Sequence, residues 1–232
     1  MYRERPARVP GGVLWTSVAA ADGDALIVPD GCMDLMWWDG ALHIAGPDTG
    51  PYPARTQAGA ESVGLRFAPG AASAVLGVPA RELLDRRVPL DDLWPAAEAR
   101  RAAERITDAP DHGVALETLA VELAGRAEPT DPLIGALVAQ ARAGRPVSGM
   151  AERAGLSQRQ LLRRCLPAFG YGPKTLARIL RAQRALALAR SARRPGFAEV
   201  AAAVGYADQA HLAREIRALT GRPLGAAVRP EP

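Results

Sequence analysis

The sequence predicts an α+β, multidomain fold. A small antiparallel β-barrel with added helices comes first, and an all-α part with two helix-turn-helix units on a linker helix follows. Three observations predict it. Short β-branched and aromatic runs separated by turns fill residues 13–68. Helical texture takes over at Gly70. A unit made of a short helix, a glycine and a capped second helix then occurs twice.

The chain has 232 residues, 48 % of them hydrophobic, enough for a sizeable core without disulfides. It has no run of about 18 apolar residues, and MYRERPARVPGG lacks the apolar stretch of a signal peptide, so a cytoplasmic protein with no membrane association is expected. Cys32 and Cys165 are too few and too far apart for a disulfide framework or a four-cysteine zinc site. His43, His112 and His211 show no metal-ligand spacing, so neither metal nor cofactor is expected. Residues 131–232 hold 17 Lys and Arg against 6 Asp and Glu, while residues 1–130 hold 12 against 19. A basic half joined to an acidic half suits nucleic acid on one side only, although a solvated basic face has the same composition. Lys174 is the sole lysine, so arginine supplies nearly all the positive charge.

The expected elements run in order. VLWTSVA, ALIV, CMDLMWW, ALHIAG and SVGLRF read as strands, with turns at DGD, PDG, WDG, GPDTG and APG. PGAASAVLG, PARELLDRR, PAAEARRAAERI and DHGVALETLAVELAGRA read as helices. AEPTDP, residues 127–132, reads as a linker, and the charge changes sign there. The expected boundaries are a β-rich domain over 1–94, a helical connector over 95–130 and a basic helical domain over 131–232. The apolar positions Leu116, Leu119, Val121 and Leu123 fit a dimer contact or burial against the barrel equally well.

The internal repeat is the strongest signal. Its copies are MAERAGLSQRQLLRRC (150–165) and VAAAVGYADQAHLAREI (200–216). In each, a short apolar helix ends at a glycine (Gly155, Gly205), where a left-handed turn residue is expected. A cap follows, Ser157 or Asp208, then Gln158 or Gln209, a leucine at plus four (Leu161, Leu212) and an arginine at plus six (Arg163, Arg214). Leu161, Cys165 and Phe169 form one buried face, and Leu212, Ile216 and Leu219 the other. The first exposed face carries Arg159, Gln160, Arg163 and Arg164; the second carries Gln209, Ala210 and Arg214, with His211 nearby. Arginine reads guanine bidentately in the major groove, and glutamine reads adenine. Between the copies, residues 173–190 have Leu176, Ile179, Leu180 and Leu186 on one face and no internal Gly or Pro, so they read as a rigid rod. Two such helices on one rod can enter successive major grooves about 34 Å apart. Two amphipathic helix pairs in an ordinary helical domain would share part of this pattern.

GLSQRQLLRR, FGYGPKTLARILRAQRAL and AVGYADQAHLAREIRALTGRPLGAAV resemble the AraC family of bacterial transcription regulators, over residues 145–228. The resemblance implies seven helices in two helix-turn-helix subdomains and double-stranded DNA as partner, with RNA polymerase contacts for an activator. It places base-facing residues at Arg159, Leu162 and Arg163, and at Gln209, Ala210, Ala213 and Arg214. Ser157, Gln158, Gln160, Arg164, Lys174, Asp208 and His211 complete the expected DNA-binding set. Cys165 stands where the family usually has Phe, and Pro167 is expected to shorten or kink the first recognition helix. With alanines at two groove-facing positions of the second helix, the first unit is expected to carry more base readout and the second more phosphate anchoring.

The front half loosely resembles cupin-like sensor modules through IVPDGCMDLMWW, IAGPDT and VGLRFAPGAA. Trp37 and Trp38, adjacent on one strand, must point to opposite faces. Trp15, Trp37 and Trp38 with Cys32, Asp34, His43 and Arg66 are the candidate effector site, on the rule that aromatic walls with a few polar groups make pockets. A packed core with ordinary turns explains the same residues, and for Arg66 a structural salt bridge competes with anion binding. A redox or thiol-sensor role for Cys32 is disfavoured, because nothing nearby depresses its pKa and Asp30 and Asp34 would raise it. The expected function is a DNA-binding regulator controlled by a small-molecule effector. One acting through dimer or protein contacts is the alternative. A cupin metalloenzyme lacks its histidine cluster, and a self-methylating repair regulator lacks its cysteine-rich zinc centre.

Overall fold

In the computed structural model, residues 1–147, 149–193 and 195–229 are described. One antiparallel sheet holds, in spatial order, β1 (Tyr2–Pro6), β2 (Val13–Val18), β7 (Glu61–Phe67), β4 (Met33–Trp38), β5 (Ala41–Ala45) and β8 (Arg87–Pro89). A separate antiparallel pair joins β3 (Gly23–Ile27) to β6 (Tyr52–Thr56). The antiparallel, β-rich front followed by a helical back is the predicted fold class.

Alternation on β4 explains how the sheet is buried. Met33, Leu35 and Trp37 point into a core shared with Ile44, Val63, Leu65 and Phe67. Three helices close that core: α1 (Ala72–Leu76), α2 (Ala96–Thr107) and α3 (His112–Ala124). Ile106, Leu116 and Leu119 are buried there, so the segment read as a connector contributes to the core of the sheet. Val114 and Val121 stay on the exposed face of α3. The opposite sheet face carries Trp15, Met36, Trp38 and Ala45 as a small second cluster. Gly64, paired with Trp15 across the sheet, lets that indole lie flat on the backbone, where a Cβ would come within 2.2 Å of the ring.

Three strands escape sequence analysis, and one expected helix is not formed. β1 is exposed along its whole length, so it lacks the alternation that marks a strand. β6 carries Pro53, tolerated because this strand is the edge of a two-stranded sheet. PARELLDRR contains only a 3-10 turn, Ala80–Glu82, before the chain turns at Asp85 (φ 55°) into β8. Pairing of β8 with β5 and burial of Leu83, Val88 and Leu90 override the local helical pattern. The Asp85 carboxylate anchors that turn, accepting from the Thr49 backbone N–H at 2.6 Å.

The second part contains seven helices among the described residues: α4 (Pro132–Arg142), α5 (Met150–Arg153), α6 (Gln158–Phe169), α7 (Pro173–Arg190), α8 (Phe197–Val204), α9 (Gln209–Thr220) and α10 (Leu224–Ala227). The boundaries of α7 are those of the expected rod. Leu137, Leu161, Cys165, Leu176, Ile179, Leu186, Val200 and Ile216 belong to one continuous core around it. Pro167 does not shorten α6, which has 12 residues, as does α9. It sits in the final turn, where the ring removes one bond to the Arg163 carbonyl.

The two parts are packed together at several places, among them Gly70, where a Cβ would meet Ile134 of α4 at 2.5 Å. At the end of α6, the Ser73 hydroxyl donates to the Pro167 carbonyl at 2.7 Å. Just beyond it, a Cβ on Gly170 would lie 2.9 Å from Pro47 and 3.1 Å from the Ala80 carbonyl. Along α7, Gln183 donates to the Pro29 carbonyl at 2.6 Å. At the end of α9, a Cβ on Gly221 would meet Pro51 at 3.3 Å and Leu26 at 3.4 Å.

Candidate nucleic-acid interface

Each helix-turn-helix unit is built by the same local devices. Gly155 (φ 66°) and Gly205 (φ 82°) turn the chain in left-handed conformations that cost a side-chain-bearing residue about 1–2 kcal/mol. Ser157 and Gln160 form a capping box at the start of α6: the Gln160 N–H donates to Ser157 Oγ at 3.2 Å, and the Ser157 N–H donates to Gln160 Oε1 at 2.8 Å. Asp208 caps α9, accepting from the His211 N–H at 2.6 Å. Leu161, Cys165 and Phe169 are buried under α6, and Leu212, Ile216 and Leu219 under α9, as the periodicity requires.

Burial of those stripes leaves the other faces to solvent. On α6, Gln158, Arg159, Leu162 and Arg163 are exposed. On α9, Gln209, Ala210 and Arg214 are exposed and Ala213 is half-buried. Lys174 is exposed in the first turn of α7. The remaining expected residues have local partners. Ser157, Gln160 and Asp208 are engaged in caps, and Arg164 pairs with Asp131 at 3.3 Å. His211 makes an edge contact with Tyr206, and its Nδ1 accepts from the Ala207 N–H at 3.4 Å.

Two contacts not foreseen from sequence brace the second unit on the rod. Arg178 of α7 pairs with Glu215 of α9 at 2.7 Å, and the Arg181 guanidinium lies 4.3 Å from the centre of the Tyr206 ring. Both arginines sit on a helix full of basic residues, and spacing within one helix does not disclose a partner more than 20 positions away.

The candidate effector residues divide between the two faces of the sheet. Trp15, Cys32, Asp34 and Arg66 converge on the outer sheet face, where Arg66 pairs with Glu4 (3.2 Å), Asp30 (3.2 Å) and Asp34 (3.5 Å). Trp15 Nε1 donates to Asp34 at 2.9 Å. Burial pushes the Asp34 carboxyl up to about 6, with Arg66 opposing the shift. Burial, reinforced by Asp30 and Asp34, raises the Cys32 thiol well above its usual range, which works against a reactive thiolate. Trp38, packed against the cluster of Trp15, Met36 and Ala45 on the same face, stacks on His43 at 3.6 Å. Trp37 lies on the opposite face, in the main core, and donates to the Thr107 hydroxyl at 3.1 Å. Arg66 is thus the hub of an ion-pair network. Among the described residues, no three His, Cys, Asp or Glu side chains are grouped to hold a metal, and no helix is long and apolar enough to cross a membrane.

Residues 150–229, spanning both units and the rod, match the family model of a helix-turn-helix domain. This is an AraC-type DNA-binding domain. Ahead of the AraC-type domain, residues 13–89 match a family described as a domain of unknown function, DUF6597. No curated protein matches the chain by sequence. A 1.65 Å structure of ToxT from Vibrio cholerae is similar over 98 % of this chain and 97 % of its own, with a TM-score of 0.50 and 8 % identity. ToxT bound to (E)-4-(8-methylnaphthalen-1-yl)but-3-enoic acid gives a TM-score of 0.49 at 10 % identity over 98 % of each chain. At such identity the likeness is one of fold: a β-rich front joined to an AraC-type domain.

Proposed function

We propose that this DNA-binding regulator reads two adjacent major grooves through α6 and α9, and that its amino-terminal domain transmits a small-molecule signal to both. The observation that carries the first half is the pair of capped helices on one rod, each with exposed arginine on the face turned from the core. Arg159, Leu162 and Arg163 contact bases from α6. Gln209, Ala210, Ala213 and Arg214 face the second groove, with more phosphate anchoring than base readout. Supporting the second half, the front domain touches the ends of both α6 and α9, so any change in its seating reaches both units.

The test is selection of bound DNA from a random pool, followed by affinity measurements on the selected site. Arg163→Ala should cost about 1–3 kcal/mol and relax preference at one position. Arg214→Ala should weaken binding more evenly across sequences and reduce the salt slope. Intact affinity in Arg163→Ala, with altered preference in Arg214→Ala, would reverse the assignment of roles. Affinity indifferent to salt would remove the DNA interface altogether.

A further inference from the structure

Seven residues after the cap Ser157 stands Arg164, and seven after the cap Asp208 stands Glu215. The residue types are opposite, yet both side chains do the same thing. Each reaches back to the helix that opens its own unit. Arg164 pairs with Asp131, at the start of α4, at 3.3 Å, and Glu215 pairs with Arg178 of α7 at 2.7 Å. The repeat therefore includes an ion pair from the recognition helix to the opening helix, with its polarity reversed between the copies.

The second pair is the shorter and the less exposed. Glu215 is the only acidic residue of α9. A bare carboxylate there would repel DNA, and Arg178 neutralises it. One turn further along α7, Arg181 donates to the Gly205 carbonyl at 3.4 Å, and its guanidinium lies 4.3 Å from the centre of the Tyr206 ring. Tyr206 in turn makes an edge contact with His211 of α9. Two arginines of the rod thus fasten both α9 and the turn before it. We infer that these pairs are orientation locks. Arg178 with Glu215, and Asp131 with Arg164, are positioning residues that fix the angle of each recognition helix and so decide which spacing of half-sites the protein accepts. Arg164 thereby leaves the expected DNA-contacting set. Reversed polarity keeps the two seats distinct. Were α6 to seat on α7 in the manner of α9, Arg164 would face Arg178, and α9 seated on α4 would set Glu215 against Asp131. The inference rests on the two-groove reading proposed above and names residues that serve it without touching DNA.

The full chain is tested on the site selected from the random pool, and on copies with one base pair added or removed between the half-sites. Glu215→Gln and Arg178→Gln should each weaken binding to the selected site about three-fold or more and narrow its advantage over the altered spacings. The exchange of Arg178→Glu with Glu215→Arg should return affinity and spacing preference to within about two-fold of wild type. Asp131→Asn keeps the cap of α4 and weakens the pair with Arg164, so it should act in the same direction but less. The sign for Glu215→Gln is diagnostic, because loss of a negative charge near DNA raises affinity if charge alone matters. Tighter binding by Glu215→Gln, or an exchange no better than the single variants, overturns the locks. So does a fall in unfolding temperature with unchanged spacing preference, the mark of a merely structural pair. If a single variant fails to fold, the exchange decides. Wild type that selects no DNA removes the regulator reading itself, whereas wild type that binds, with variants that match it, removes only the locks.

Discussion

Glu117→Gln should expose how strongly the amino terminus is fastened to the domain. The Glu117 side chain is 3 % exposed and accepts from Arg5 at 3.0 and 2.9 Å and from the Arg8 backbone N–H at 2.7 Å, with the Arg8 guanidinium at 3.1 Å. The Arg5 hydrogen bonds, followed by the Arg8 N–H, hold its carboxyl down at about 2 against an ordinary 4.5. At about 1.4 kcal/mol per pKa unit, that displacement is worth at most about 3 kcal/mol. Arg5 and Arg8 are 46 % and 55 % exposed, so solvent screening brings the figure to about 1–2 kcal/mol. A depressed carboxylate stabilises the fold fully above its unfolded pKa and loses that contribution as pH falls through the folded value. Wild type should therefore exceed Glu117→Gln by about 1–2 kcal/mol at neutral pH, or roughly 2–8 °C for a chain of this size. The gap should close between about pH 4.5 and pH 2. Urea titrations at several pH values measure it. A gap that stays constant down to the acid end, or a variant as stable as wild type at neutral pH, refutes the clamp.

Three further outcomes are expected. Gly205→Ala, at φ 82°, should destabilise the helical domain by about 1–2 kcal/mol in thermal unfolding and leave the β-rich part unaffected by near-ultraviolet dichroism of its tryptophans. Ser157→Ala, which breaks the capping box, should cost about 1 kcal/mol in urea and weaken DNA binding only through stability, so that affinity returns on cooling. The raised Asp34 carboxyl makes the folded state bind a proton more readily than the unfolded one, so stability at this site is lost as pH rises from its ordinary 3.8 to about 6. Asp34→Asn should flatten the stability profile across that window, and an unchanged profile would place the titration elsewhere.

What could be read from the sequence was local. Gly205, the Asp208 cap and the stripe Leu212, Ile216, Leu219 lie within 15 consecutive residues, and each acts on its own helix, so sequence spacing is enough to find them. The rod was equally plain, because its only requirements are periodicity and the absence of helix breakers. β8 was hidden because its partner is β5, more than 40 residues earlier, and the intervening chain has helical composition. β1 was hidden because an exposed, charged edge strand has no pattern of its own and exists only by pairing with β2. The cleft between the two domains, lined by Val28, Leu186 and Arg229, is the extreme case: these are spread across 200 residues, and none has a neighbour that marks it.

The contacts of the front domain bear on the proposed transmission of a signal to the two units. A single rigid rod between two recognition helices would fix their spacing and leave nothing to regulate. Here the β-rich domain lies across the ends of α6 and α9 and along the middle of α7, so it acts as a splint on both units at once. The seats differ in stiffness. At α6, Gly170 is pressed against the Pro47 ring and the Ala80 backbone, with no room for even a methyl group. At α9 the contact is looser, 3.3 Å at Gly221, and the cleft opens beside it. Motion is cheapest where packing is incomplete. On the reading proposed above, the first unit should be the more firmly seated of the two, so protection from amide hydrogen exchange should be higher at the end of α6 than at the end of α9; equal protection would refute this difference.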